Sequence, residues 1–160
     1  MKSTFILLIA AGLMHGAWAQ NAPTHEQAYG YIGSNGNMRV VRPAFLPGQY
    51  FIGGVLEAQA AVVRVNRAGQ ALAHRRLDLP GVTQSEVTDA VMVNSELFAV
   101  AGTCTGCVAA SDRKAVFIVL LDPNLNEVAA LLLEPNSSQA HFNNARLAAG
   151  GNTLYLAFND

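Results

Sequence analysis

Charge is scarce in this chain of 160 residues. Asp, Glu, Lys and Arg make up 13% of it, and lysine occurs only at Lys2 and Lys114. The arginines are scattered along the chain, so there is no basic stripe to neutralise a run of phosphates, and nucleic acid is excluded as a partner. The charged helix formers that long surface helices need are also missing. Cysteine is limited to Cys104 and Cys107, too few for a four-ligand zinc site without a histidine pair at the right spacing, and His25, His74 and His141 do not supply one. After the first 20 residues no apolar run is long enough to cross a bilayer. "AVFIVLL" is closed by Lys114 before it and Asp122 after it. What the chain does have is apolar content, 51% of its residues, enough to bury a core.

The opening "MKSTFILLIAAGLMHGAWAQ" has the order of a secretory signal peptide: a Lys, an apolar run of roughly ten residues, a break at His15-Gly16, then the small-x-small triplet Ala17-Trp18-Ala19. Residues 1–19 are therefore expected to be removed after Ala19, leaving residues 20–160 as one soluble domain. The expected location is secreted or cell-surface, with the periplasm as the variant, and the expected compartment is oxidising.

Beyond the leader, short runs rich in Val, Ile, Phe, Tyr and Leu alternate with Gly, Asn, Asp and Pro: "NMRVVRP", "QYFIGGV", "AAVVRVN", "QALAHRRL", "SEVTDAVMV", "ELFAVAG", "KAVFIVLLD", "NEVAALLL", "NNARLAA" and "TLYLAF". Their length suits strands and predicts an all-β fold. "NEVAALLLE" has the composition of a helix capped by Asn126, but the repeat assigns it to a strand. That repeat aligns "QYFIGG" (49–54), "LFAVAG" (97–102) and "LYLAF" (154–158). The order within a unit is strand, turn, Gly-terminated strand, loop, strand with an Asn or Asp turn, strand. The second unit carries about eight extra residues after Gly102, around "CTGCVAAS".

With Tyr50 to Gly54 followed by Asn66 to Gly69, and Phe98 to Gly102 followed by Asp122 to Leu125, residues 38–160 resemble secreted bacterial β-propeller repeat proteins. The resemblance implies a partial β-propeller of four-stranded antiparallel blades, two of them plus the first strands of a third, incomplete at its C-terminus. Leu125 stands where the pattern has a turn Gly, and Asp-box, WD and kelch signatures are lacking. A β-sandwich is the alternative architecture, and self-association is another way to cover the open edge.

Cys104-Thr105-Gly106-Cys107 has the length of a β-turn, with Gly106 where positive φ is wanted. In an oxidising compartment the favoured reading is a local disulfide stiffening an exposed loop. Free or redox-active thiols are the alternative, and metal the least supported. Val108 rules out c-type haem attachment. His74 and His141 read as surface side chains, and Asp122 as a turn residue. With Asp89 and Asp112 it could also be read as a calcium ligand, but the EF-hand frame counted from Asp122 fails at Glu127 and Leu133. Asn35-Gly36 suits a hairpin turn, and Asn136-Ser137-Ser138 fits a glycosylation sequon. Gly53, Gly54 and Gly102 are structural residues that let backbones pack closely. No cofactor and no catalytic constellation is expected. The functional expectation is a non-catalytic binding or scaffold module for a protein or glycan ligand. The alternative is the front of a secreted hydrolase or lyase whose catalytic residues lie beyond residue 160.

Overall fold

The structure, a computed structural model, describes residues 7–9, 25–27, 36–107, 113–136, 141–150 and 153–159. Among these the regular elements are all strands, in agreement with the all-β expectation. β1 (Leu7–Ile9) and β2 (His25–Gln27) form a short antiparallel pair, and the rest of the segment read as a signal peptide lies outside the described residues. Sheet 1 takes β3 (Gly36–Pro43), β4 (Gln49–Leu56), β5 (Gln59–Asn66) and β6 (Ala71–Arg76) in chain order. Sheet 2 repeats that order with β7 (Gln84–Met92), β8 (Phe98–Thr105), β9 (Lys114–Leu121) and β10 (Glu127–Leu133). Sheet 3 pairs β11 (Asn143–Gly150) with β12 (Thr153–Asn159). All neighbours are antiparallel. Among the described residues these three sheets form an open series and not a closed ring.

The repeat extends to single residues. In sheet 1 the first strand bulges between Met38 and Val40, opposite Gly54. In sheet 2 it bulges between Val87 and Asp89, opposite Gly102. A bulge crowds one side chain of the facing strand. A Cβ at Gly54 would lie 2.1 Å from the Asn37 carbonyl oxygen, and one at Gly102 would lie 1.9 Å from that of Glu86. Sheet 3 solves the same problem differently. Arg146 pairs with Ala157 as Asp89 does with Ala101, so Phe158 holds the glycine position. There the strands skip a pairing, Asn144 takes φ 50°, and the Phe158 ring packs on Phe142 at 4.5 Å.

The turns after the third strands also match. Asn66 accepts from the Gly69 amide and Asp122 from the Leu125 amide, both at 2.9 Å. Leu125 has φ 64° against 78° for Gly69, so the turn is the same although Leu replaces Gly. The left-handed backbone costs a non-glycine residue about 1–2 kcal/mol. Leu125 is 1% exposed in the core, and burying a leucine returns roughly 1.5–3 kcal/mol, which offsets the strain. Asp122 fixes the turn from its start, accepting from the Asn124 and Asn126 amides at 2.8 and 2.7 Å and from the Asn126 side chain at 2.9 Å. The Asn126 side chain, more than any other group, holds the Asp122 carboxyl below the usual carboxylate range.

Each later sheet seats its first strand on the sheet before it: β7 packs on β3, β4 and β5, and β11 on β7, β8 and β9. The main core lies between sheets 1 and 2, where Phe51 stacks on Phe98 at 4.1 Å and Phe45 meets Phe98 edge-on at 5.9 Å. Ile52, Val63 and Val65 cluster on the opposite face of sheet 1, and Ala101, Val116 and Ala145 join sheets 2 and 3. Substituting Gly102→Ala drives the new methyl into Glu86 and the Phe117 ring, and should destabilise by about 1–3 kcal/mol in urea unfolding. Gly150→Ala, whose Cβ would lie 3.6 Å from the Tyr155 ring in ordinary van der Waals contact, should stay within about 0.5 kcal/mol of wild type.

Candidate functional site

One end of the assembly gathers the β4–β5 hairpin, the start of β7 and the long β8–β9 connection. Leu56 pairs with Gln59 and, at the matching place, Cys104 pairs with Ala115, so the second hairpin is longer by eight residues. Glu57 and Ala58 form the short hairpin with φ 49° and 66°. It is joined to sheet 2 by the Ser85 amide, which donates to the Ala58 carbonyl at 2.8 Å, and by the Ala60 amide, which donates to Ser85 Oγ at 2.7 Å. The chain entering β7 is tied to the cysteine turn: the Thr83 amide and hydroxyl both donate to the Thr105 carbonyl, at 2.9 and 3.0 Å.

Cys104 and Cys107 stand at disulfide distance, Sγ–Sγ 2.12 Å with Cα atoms 6.0 Å apart, and Gly106 between them has φ 77°. A Cβ at Gly106 would lie 2.9 Å from Thr83 Oγ1, so the turn sits directly against the β7 entry. Both cysteines were expected in the inserted loop. Cys104 is instead on β8, 2% exposed and part of the main core, because β8 keeps pairing with β9 through Thr105 and Cys104 takes the place of Leu56.

A cleft of about 290 Å³ opens beside this turn. Val55 and Ala58 form its sheet 1 side. Gln84, Ser85 and Glu86 come from β7, Thr103, Cys104 and Thr105 from β8, and Lys114 from β9. Glu86 also meets Arg39 at 3.3 Å. The cleft thus combines hydroxyls, an amide, a carboxylate and an ammonium group over an apolar floor, a set that can hydrogen-bond a polar ligand. A second cleft of about 510 Å³ at Pro47–Gln49 and Asn66–Ala68 lies between two turns of sheet 1 alone. The smaller cleft is the stronger candidate because two sheets and the braced cysteine turn build it.

The other singled-out residues do not converge there. His74 is on β6, exposed, and His141 precedes β11, where its Nδ1 accepts from the Lys114 amide at 3.4 Å. Asn136 is exposed, and Gly36 is the first paired residue of β3, opposite Leu56. Asn35, Asp112, Ser137, Ser138 and the side chain of His25 lie outside the described residues. Gly53 faces Val87, whose Cγ1 would be 2.7 Å from an added Cβ. Among the described residues no group of three or more His, Cys, Asp or Glu could hold a metal.

Asp89, weighed only as a calcium ligand, is the residue that sequence reasoning misjudged. It is 4% exposed and accepts from Arg42 Nη2 of β3 at 2.6 Å, from the Ala90 amide at 2.9 Å and from the Leu147 amide of β11 at 3.0 Å. The one signal available was an acid inside the apolar run "SEVTDAVMV". No family model matches the chain, and no curated protein or solved structure matches it either.

Replacing Cys107 by Ser removes a staple that closes only a short loop, and should cost at most about 2 kcal/mol. Cys104→Ser should cost about 1–3 kcal/mol more, because it also puts a hydroxyl into the core. Urea unfolding of the two variants checks the order, and equal costs would contradict the placement of Cys104.

Proposed function

We propose that this chain is an exported, non-catalytic binding or scaffold module of β-propeller type, and that it meets a protein or glycan ligand at the cleft beside Cys104 and Cys107. The observation that carries the architecture is the identical hand-over from sheet to sheet. The Ser85 amide enters sheet 2 by donating to Ala58, and the Phe142 amide enters sheet 3 by donating to Lys114 at 3.0 Å, the matching residue one unit later. A sandwich closes once two sheets face each other. Here sheet 3 sits on sheet 2 as sheet 2 sits on sheet 1, which is the arrangement that radial repetition requires.

Export rests on the leader-like opening and is compatible with the cysteine pair at disulfide distance. Among the described residues no helix is long and apolar enough to cross a membrane. The binding role rests on the cleft itself, whose polar residues Gln84, Ser85, Glu86, Thr103, Thr105 and Lys114 all stand on paired strands, so their backbone positions are set without a ligand.

The test is an array of oligosaccharides and extracellular proteins, probed with wild type and with a Gln84→Ala, Thr105→Ala, Lys114→Ala triple variant. Ligands held by wild type should lose about tenfold or more in affinity for the triple variant, the effect of removing one or two charge-assisted hydrogen bonds. They should be unaffected by Arg67→Ala at the opposite cleft. The reverse pattern would place the ligand at the other end and contradict the proposal.

A further inference from the structure

Most of the described lysines and arginines are engaged by the protein itself. Arg39, Arg42 and Arg76 pair with carboxylates, and Arg64, Arg75, Arg113 and Arg146 donate to backbone carbonyls. Lys114 and Arg67 have no such partner among the described residues, and Lys114 is exposed and lines the cleft beside the cysteine turn. Glu86, the other charged residue lining that cleft, is already neutralised by Arg39. The cleft therefore carries one uncompensated positive charge.

Neutral hydrogen-bonding groups stand next to that charge. Gln84 pairs with Thr105 and Thr105 with Lys114, so an amide, a hydroxyl and an ammonium form a row across β7, β8 and β9, at about 4.8 Å from strand to strand. Glu86 and Thr103 form the next row on the same face. Thr103 is only 7% exposed and its hydroxyl bonds to no described residue, although buried hydroxyls are ordinarily hydrogen-bonded. Ser85, 4% exposed, accepts from the Ala60 amide, and its own proton has no acceptor among the described residues. Two buried hydroxyls thus have hydrogen-bonding capacity that an occupant of the cleft can fill.

Resting on the proposal that this cleft is the binding site, we infer that its ligand is an acidic glycan, of which the cleft seats one hexuronate unit. Lys114 takes the carboxylate, Thr105 and Thr103 take ring hydroxyls one strand spacing away, and Val55 and Ala58 meet the C–H face of the ring. A uronate sets hydroxyl groups beside its carboxylate on a rigid ring, which matches a cation flanked by neutral hydrogen-bonding groups. An acidic peptide offers a carboxylate on a flexible chain without neighbouring hydroxyls, and a neutral glycan leaves Lys114 unpaired. The cleft volume of about 290 Å³ is at the lower end for small-ligand pockets, which suits a single sugar ring.

The probes are oligomers of glucuronate, galacturonate and mannuronate, each beside its carboxyl-reduced neutral form, titrated calorimetrically into the intact protein at low salt. At least one acidic oligomer should bind about tenfold or more tighter than its neutral form, and the difference should shrink as salt rises. Lys114→Gln should abolish the difference and Lys114→Arg should keep it. Thr103→Val, which removes the hydroxyl at nearly constant volume, should weaken both forms alike, and Arg67→Ala should change nothing. The inference is overturned by no binding of any acidic oligomer, by a preference that survives Lys114→Gln, or by tetraglutamate held as tightly as the sugars. Acidic and neutral forms bound equally, and both lost in the Gln84→Ala, Thr105→Ala, Lys114→Ala triple variant, would overturn it but leave the cleft as the binding site. Sugar binding lost in Arg67→Ala instead would remove the cleft as well.

Discussion

A single buried carboxylate connects the first strands of all three sheets. Asp89 sits at the bulge of β7, where the extra residue re-aims its side chain between neighbouring sheets. Arg42 reaches it from β3 while its Nε donates to the Ala90 carbonyl at 3.1 Å, and the Leu147 amide reaches it from β11. Two more bonds run beside it: Thr88 Oγ1 donates to the Ala145 carbonyl at 2.9 Å, and Arg146 Nη1 to the Thr88 carbonyl at 2.6 Å. Burial of Phe51, Phe98 and Phe117 supplies more free energy than these polar contacts, but apolar packing is non-directional. The angle at which one sheet meets the next is fixed by the contacts that have geometry, and these converge on Asp89.

The same constraint explains why the repeat is strict at some positions and loose at others. Each first strand must bulge to lie against its neighbour, and the residue facing the bulge must then be glycine or force the strands apart. Gly54 and Gly102 take the first course and Phe158 the second. At Leu125 a left-handed turn residue is retained in spite of its side chain, because the side chain fills the core between sheets 1 and 2. The hairpin joining second and third strands faces no such demand. It is two residues in sheet 1 and accommodates eight more in sheet 2, where the cysteine turn and the cleft arise.

Strand positions were legible in the sequence because alternating apolar runs bounded by Gly, Asn, Asp and Pro have a period that only strands satisfy. Even "NEVAALLL", with its helix-forming composition, is a strand, since β9 offers it a paired edge and an apolar surface. The length difference at Gly102 also located the long hairpin. What the sequence left hidden depends on neighbours that are distant along the chain. Cys104 was assigned to the loop because nothing local reveals that pairing with β9 continues past it. Asp89 resembled a stray acid because its partners, Arg42 and Leu147, are 47 and 58 residues away. Glu86 and Lys114 become cleft neighbours only once β7, β8 and β9 are paired.

The most direct test of this account is strand-resolved amide hydrogen exchange in Asp89→Ala. The Leu147 amide loses its acceptor, and half-exposed Arg42 loses its partner. β11 and β12 should then exchange about tenfold faster or more, the equivalent of roughly 1.4 kcal/mol, while β4 and β5 keep their wild-type protection. Unchanged exchange in β11, or a loss spread evenly over all three sheets, would contradict the claim that Asp89 holds the sheets in place.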